Sequence, residues 1–179
     1  MADDDVPGTG APQARSGADL LVLAQALAGA GLLWPGRARW RLPRTLTAAC
    51  LVAGAAGTAL AEEGLRFLGR DVTPFVAPRG GARLQTAGPY EISRNPVYAG
   101  LLVAGAAVAV LRRRPEPLVA FAALAAVLHV KSGVEEARLR DRFGDEYAVY
   151  AARTPRLIGL PRPVAVRPAI SSLLGDDAG

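Results

Sequence analysis

The stretch GPYEISRNPVYAG, residues 88–100, joins a polar turn punctuated by glycine and proline to the start of an apolar run. It carries four side chains suited to a binding site: Tyr90, Arg94, Asn95 and Tyr98. A second polar stretch, EEARLRDRFGDEYAVY at residues 135–150, follows the next apolar segment. Two helices joined by a short connection would carry the chain away and return it to the same face. We therefore expect the two polar stretches to meet and form a site.

Three uncharged runs of 17 residues cover residues 20–36, 45–61 and 95–111. Seventeen residues is about the minimum that crosses the hydrocarbon core of a bilayer. Half of the chain is apolar (51%), but aromatic residues make up only 6%, so alanine, glycine, leucine and valine dominate. Small residues let helix backbones approach closely in lipid. The runs are therefore predicted to be packed transmembrane helices.

The fourth apolar run, Leu118–Val130, is shorter than the others. It spans the membrane if the Lys131 side chain extends its ammonium group to the interface; otherwise residues 95–130 form a re-entrant hairpin. From Val134 onward the charge pattern predicts an amphipathic helix. The predicted fold class is all-α: an integral membrane protein with about four transmembrane helices plus a C-terminal cytoplasmic amphipathic helix.

The predicted domain organisation is simple, because 179 residues suit one domain. Residues 1–19 are polar and rich in Asp, Gly and Pro, which is typical of a disordered tail. Residues 20–158 form the membrane domain, and residues 159–179 are expected to be a loosely ordered tail.

The net charge of +5 comes almost wholly from arginines in the gaps between the apolar runs. That position favours flanking charge at a bilayer over a nucleic-acid surface. With four spans, the side that holds both termini carries 14 of the 21 Lys and Arg residues. The positive-inside rule then predicts cytoplasmic termini. The Ala-, Arg- and Gly-rich composition points to a bacterial inner (cytoplasmic) membrane. One cysteine, Cys50, and one histidine, His129, predict no intramolecular disulfide and no metal site.

The two polar stretches resemble paired signatures of one enzyme superfamily. GPYEISRNPVYAG is similar to the Gly-x-Tyr-x-x-x-Arg-His-Pro-x-Tyr-x-Gly signature of the isoprenylcysteine carboxyl methyltransferase and phospholipid methyltransferase superfamily. EEARLRDRFGDEYAVYAARTPRLI resembles its Glu-Glu-x-x-Leu-x-x-x-Phe-Gly-x-x-Tyr-x-x-Tyr segment, and the likeness covers roughly residues 60 to 158. The resemblance implies an integral membrane methyltransferase that uses S-adenosylmethionine. The acceptor would be lipophilic, with a carboxylate, thiol, phenolic or amine group to methylate.

The resemblance also implies the site residues. Positions matching the family's cofactor contacts are Ala82, Arg83, Leu84, Gln85, Tyr90, Asn95, Pro96, Val97, Tyr98 and Glu135. Asn95 and Lys131 match catalytic or substrate-facing positions. Arg94 and Glu136 are expected to support the site, with Arg94 pairing either Glu135 or Glu136 in a bidentate manner.

The residue types suit this cofactor on physical grounds. A carboxylate such as Glu135 accepts hydrogen bonds from ribose hydroxyls or an ammonium group, and the rings of Tyr90 and Tyr98 can cover adenine or face a cationic sulfur. No GxGxxG fingerprint follows a strand pattern, which excludes a Rossmann-type methyltransferase.

One residue departs from the family pattern. The usual histidine is Asn95 here, and an amide hydrogen-bonds but cannot act as a general base. An acceptor that is already nucleophilic, such as a carboxylate or thiolate, needs no base. The alternative hypothesis is a non-catalytic four-helix membrane protein that keeps the scaffold and binds a lipid or protein partner.

Overall fold

The computed structural model describes residues 11–69 and 84–159, and within these ranges every regular element is a helix. The helices are α1 (Ala11–Leu33), α2 (Arg44–Leu68), α3 (Pro89–Ile92), α4 (Pro96–Leu111) and α5 (Pro115–Arg153). Ala82 and Arg83 lie outside the described residues, as do residues 1–10 and nearly all of the predicted C-terminal tail.

The predicted all-helical membrane fold is confirmed. Two helices, α2 and α5, are long and apolar enough to cross a membrane by length and composition, and two shorter apolar helices cover Asp19–Leu33 and α4. Large apolar side chains such as Leu51, Val52 and Val119 project outward. Exposed apolar surface of this kind suits contact with lipid tails.

Helix α5 differs from the sequence prediction, which separated the apolar run from the amphipathic helix. The structure joins them into one helix of 39 residues, with non-helical backbone angles only at Gly144 (φ 48, ψ −120). The part before the kink, residues 115–143, is about 43 Å long, whereas the hydrocarbon core is about 30 Å thick. The charged half therefore extends beyond the bilayer, and the kink at Gly144 redirects its last turns. Helix α1 also begins earlier than its apolar run, at Ala11, within the predicted N-terminal tail.

The four long helices pack in the order α2, α4, α5 and α1. Glycine brings α2 and α4 together: a Cβ atom at Gly57 would lie 2.7 Å from the backbone nitrogen of Ala104, and one at Gly100 would lie 2.6 Å from the backbone nitrogen of Ala61. This contact is the close backbone approach that small residues allow in membranes. On the other side, an apolar cluster joins α1, α4 and α5: Ala28, Leu32, Ala109, Leu124 and Leu128.

The end of the bundle opposite the polar stretches is closed by arginines. Arg112 donates to the carbonyl oxygens of Leu33 and Trp34, and Arg114 donates to those of Trp34 and Pro35. The last carbonyls of a helix have no partner within it, and cations favour that end. The arginines of this connection therefore hold the C-terminus of α1 in place.

Candidate functional site

The turn at residues 93–95 lies between the short helix α3 and the start of α4. Gly88 precedes α3 with φ +63, and a Cβ atom there would lie 2.5 Å from the Phe67 ring. Pro89 and Pro96 occupy the first turns of α3 and α4, where a missing backbone N–H costs nothing. These glycine and proline positions set the angle at which the polar stretch meets the bundle.

Tyr90 is buried and donates its hydroxyl to the carbonyl oxygen of Gly64 on α2, at 3.3 Å. Burial, and secondarily the negative charge of Glu135, raises the pKa of the Tyr90 phenol well above its ordinary value. The phenol therefore stays protonated at neutral pH and acts as a hydrogen-bond donor.

The two polar stretches meet at Tyr98 and Glu135. The Tyr98 hydroxyl and the Glu135 carboxylate lie close enough to interact electrostatically. The Lys131 ammonium nitrogen lies 5.5 Å from the centroid of the Tyr98 ring, one turn before Glu135 on α5. A carboxylate, an ammonium group and an aromatic ring therefore converge where α4 faces α5.

The Lys131 side chain is only 6% exposed, and its ammonium donates to the Gln25 side-chain oxygen of α1 at 3.0 Å. Sequence reasoning missed Gln25. It is the one amide in the uncharged run 20–36, and a polar side chain inside a span is a signal for a functional or partnered residue.

Glu136, the next residue, faces a different set of partners. Its carboxylate lies 3.3 Å from an Arg94 guanidinium nitrogen and 3.7 Å from the Arg156 Nε. Of the two partners expected for Arg94, the structure shows Glu136. Arg94 also donates to the Tyr147 hydroxyl at 3.4 Å. Two guanidinium groups thus surround one buried carboxylate.

Asn95 is held by the segment that follows α5. Its side-chain nitrogen donates to the carbonyl oxygen of Arg156 at 2.9 Å, and its backbone nitrogen donates to Ser93 Oγ at 3.1 Å. The Arg94 backbone nitrogen donates to the carbonyl oxygen of Pro155 at 2.9 Å. Sequence reasoning assigned no role to Arg156 or Ser93, although residues 154–158 belong to the quoted likeness.

Three of the remaining predicted residues contact α2. Gln85 lies within 3.5 Å of the Phe67 carbonyl oxygen, and Pro96 and Val97 pack against Gly64. Leu84 is partly buried.

Tyr147, near the end of α5, is fully buried and packs edge-on against Tyr150. The Tyr150 hydroxyl donates to the carbonyl oxygen of Tyr90 at 2.7 Å, which ties the end of α5 to α3.

An apolar groove of about 570 Å³ lies over α4, between α2 and α5. Its lining is built from small and aliphatic side chains with one aromatic ring: Ala49, Cys50, Ala53, Leu102, Val103, Ala106, Ala107, Val110, Phe121, Ala125 and Ile158. Ile158 is two residues from Arg156, so the groove approaches the segment that holds Asn95.

The side chains at the meeting point of the two polar stretches suit a cationic ligand with hydroxyl groups. Glu135 supplies a carboxylate, and the rings of Tyr90 and Tyr98 lie close to it. A carboxylate beside aromatic faces favours ammonium and sulfonium groups. In the part of the chain that is described, no group of three His, Cys, Asp or Glu residues is placed to hold a metal ion.

Comparison with known proteins shows a match between this chain and a family model. A family model described as phospholipid methyltransferase matches residues 44–146, which is more than half of the chain. The match runs from the first residue of α2 to just beyond the Gly144 kink, and it includes Tyr90, Tyr98 and Glu135 but neither Gln25 nor Arg156. No curated protein matches the chain.

Proposed function

The chain belongs to the phospholipid methyltransferase family, and we propose that it transfers a methyl group from S-adenosylmethionine to a lipophilic acceptor at the membrane interface. The observation that supports this most directly is the meeting of Tyr98, Lys131 and Glu135. S-adenosylmethionine supplies an electrophilic methyl group on a cationic sulfur. Tyr90, Tyr98 and Glu135 would hold the cofactor, and its transfer chemistry depends mainly on positioning and on exclusion of water.

Lys131 is proposed to act on the acceptor. Its ammonium is fixed between the Gln25 oxygen and the Tyr98 ring, and it keeps donors that these contacts do not use. A positive charge in this buried position favours an anionic acceptor group, such as a carboxylate or thiolate. Such a group is nucleophilic without a base, which agrees with the asparagine at position 95.

The apolar groove beside α4 is proposed to receive the hydrocarbon part of the acceptor. Its lining is apolar throughout, and Ile158 is 66% exposed at the edge nearest the polar turn. The acceptor would therefore arrive from the lipid, and the cofactor from water. We favour a small lipid or a lipophilic secondary metabolite as the acceptor.

We propose that the site faces the cytoplasm, where S-adenosylmethionine is made, and that both termini lie on that side. A reporter enzyme fused after Gly179 is then expected to be in the cytoplasm, and one inserted at Arg113, in the connection between α4 and α5, to be outside it. The measurement is reporter activity in intact cells. Both reporters on one side would contradict the four-span arrangement and support a re-entrant hairpin at residues 95–130.

The proposed activity is tested with protein purified in detergent. Calorimetric titration is expected to show S-adenosylmethionine binding, and incubation with S-adenosylmethionine and a bacterial lipid extract is expected to give a product heavier by one methylene group. The control is the same extract without protein. Absence of both binding and product would support the alternative, a non-catalytic scaffold that binds a lipid or protein partner.

A further inference from the structure

Arg156, in the segment that follows α5, contacts both α5 and the turn at residues 93–95. Its guanidinium donates to the carbonyl oxygen of His129 at 3.0 Å, and its Nε lies 3.7 Å from the Glu136 carboxylate. Its own carbonyl oxygen accepts from the Asn95 side-chain nitrogen at 2.9 Å and from Ser93 Oγ at 3.4 Å. The side chain thus binds α5, and the backbone carbonyl binds the turn before α4.

The Arg156 side chain packs closely against α5. A Cβ atom at Gly133 would lie 2.5 Å from an Arg156 guanidinium nitrogen, so the arginine lies directly over the glycine. The planar fork of arginine reaches a carbonyl and a carboxylate at once, which a lysine ammonium does less well. The Arg156 side chain therefore helps to fix the backbone of this segment, together with the hydrogen bond from the Arg94 backbone nitrogen to the Pro155 carbonyl oxygen.

The contact with Asn95 decides how the amide is oriented. A carbonyl oxygen only accepts, so the Asn95 nitrogen must face Arg156 and its Oδ1 must face the other way. Rotation of the amide by 180° would place two oxygens against each other. The amide atom left for a further contact is therefore the oxygen, which is a hydrogen-bond acceptor.

We infer that Arg156 is a positioning residue for methyl transfer: its guanidinium anchors residues 154–156 to α5, and its carbonyl orients the Asn95 amide toward the cofactor. The inference rests on the proposed function. It adds a residue beyond the family match, which ends at residue 146, and assigns the C-terminal segment a role in cofactor binding.

Four proteins test it: the wild type, Arg156→Ala, Asn95→Ala and the double variant. Arg156→Ala is expected to weaken S-adenosylmethionine binding about tenfold, as loss of an oriented hydrogen bond does. In the Asn95→Ala background the same change is expected to add almost nothing, because residues that act through one contact are not additive. Titration calorimetry in detergent gives the four dissociation constants, and methyl transfer to a lipid extract gives KM for the cofactor separately from kcat.

Glu136 keeps Arg94 as a partner when Arg156 is shortened, so the folded protein is expected to persist. The melting temperature checks this, and Arg156→Lys, with an expected intermediate affinity, replaces Arg156→Ala if the alanine variant does not fold. Arg153→Ala is the matched control, since Arg153 is exposed in the last turn of α5. It is expected to bind like the wild type.

Three results would overturn the inference. Wild-type affinity in both Arg156 variants removes the residue from the site. Effects of Arg156→Ala and Asn95→Ala that multiply to about a hundredfold show that the two act independently. A wild type that binds no S-adenosylmethionine contradicts the proposed function itself, and the inference fails with it.

Discussion

Replacing Glu135 with glutamine is expected to weaken S-adenosylmethionine binding by about 1–3 kcal/mol. Glutamine keeps the size and one acceptor oxygen but removes the charge, and charge-assisted hydrogen bonds are roughly twice as strong as neutral ones. The Glu135 carboxylate interacts electrostatically with both Tyr98 and Lys131, so it lies at the meeting point of the two polar stretches. Titration calorimetry of the purified protein measures the effect.

Glu146→Gln is the control, because Glu146 is exposed on the same helix beyond the Gly144 kink. It is expected to leave the cofactor affinity unaltered. The melting temperature of both variants is expected to change little, since glutamine keeps the length and volume of each side chain, and Glu135 lies in the interior of α5, too far from either helix end for its charge to act on the helix dipole. Equal affinities for the two variants would show that Glu135 is only a charge on a helix face.

Gly100→Ala is expected to destabilise the folded protein by about 1–3 kcal/mol, the usual cost of an overpacked contact, or more. The added Cβ atom would collide with the carbonyl oxygen of Gly57 and lie 2.6 Å from the backbone nitrogen of Ala61. Both are backbone atoms, which cannot move aside without separating α2 from α4. The free energy of unfolding in detergent, from a denaturant series, measures the change.

Gly54→Ala is the matched control on the same helix interface. A Cβ atom at Gly54 meets only the Ala107 Cβ, at 3.4 Å, which is ordinary van der Waals contact. Because alanine is the better helix former, this variant is expected to be neutral or to gain up to about 1 kcal/mol. An unfolding free energy for Gly100→Ala equal to that of Gly54→Ala would mean that α2 and α4 pack differently.

Much of the fold could be predicted because hydropathy and length decide which segments can cross a bilayer. The run 45–61 lies inside α2, and the run 95–111 coincides with α4 apart from Asn95. The continuity of α5 could not be predicted in this way. Charge at Lys131 marks where a helix leaves the hydrocarbon, whereas a helix ends only where its backbone hydrogen bonds end.

Helical spacing explains part of the way in which the structure groups the candidate residues that the family resemblance named. Lys131 and Glu135 are four residues apart and share a helix face, which Tyr98 meets. The partner of Arg94 was ambiguous because adjacent residues on a helix point about 100° apart. Gln25 and Arg156 lie 106 and 61 residues from their partners Lys131 and Asn95. Such pairs depend on how the helices pack, and the spacing of residues along the sequence does not show which helices are neighbours.

The contact between Gln25 and Lys131 makes helix α1 part of the proposed site. The family match starts at residue 44, after α1 has ended. A protein cut back to that boundary would leave the Lys131 ammonium facing lipid without its amide partner, and would uncover Leu124 and Leu128 where Leu32 now packs. Helix α1 is thus one wall of the proposed site rather than an appended anchor, and we expect shortened versions or chimaeras with other family members to need it.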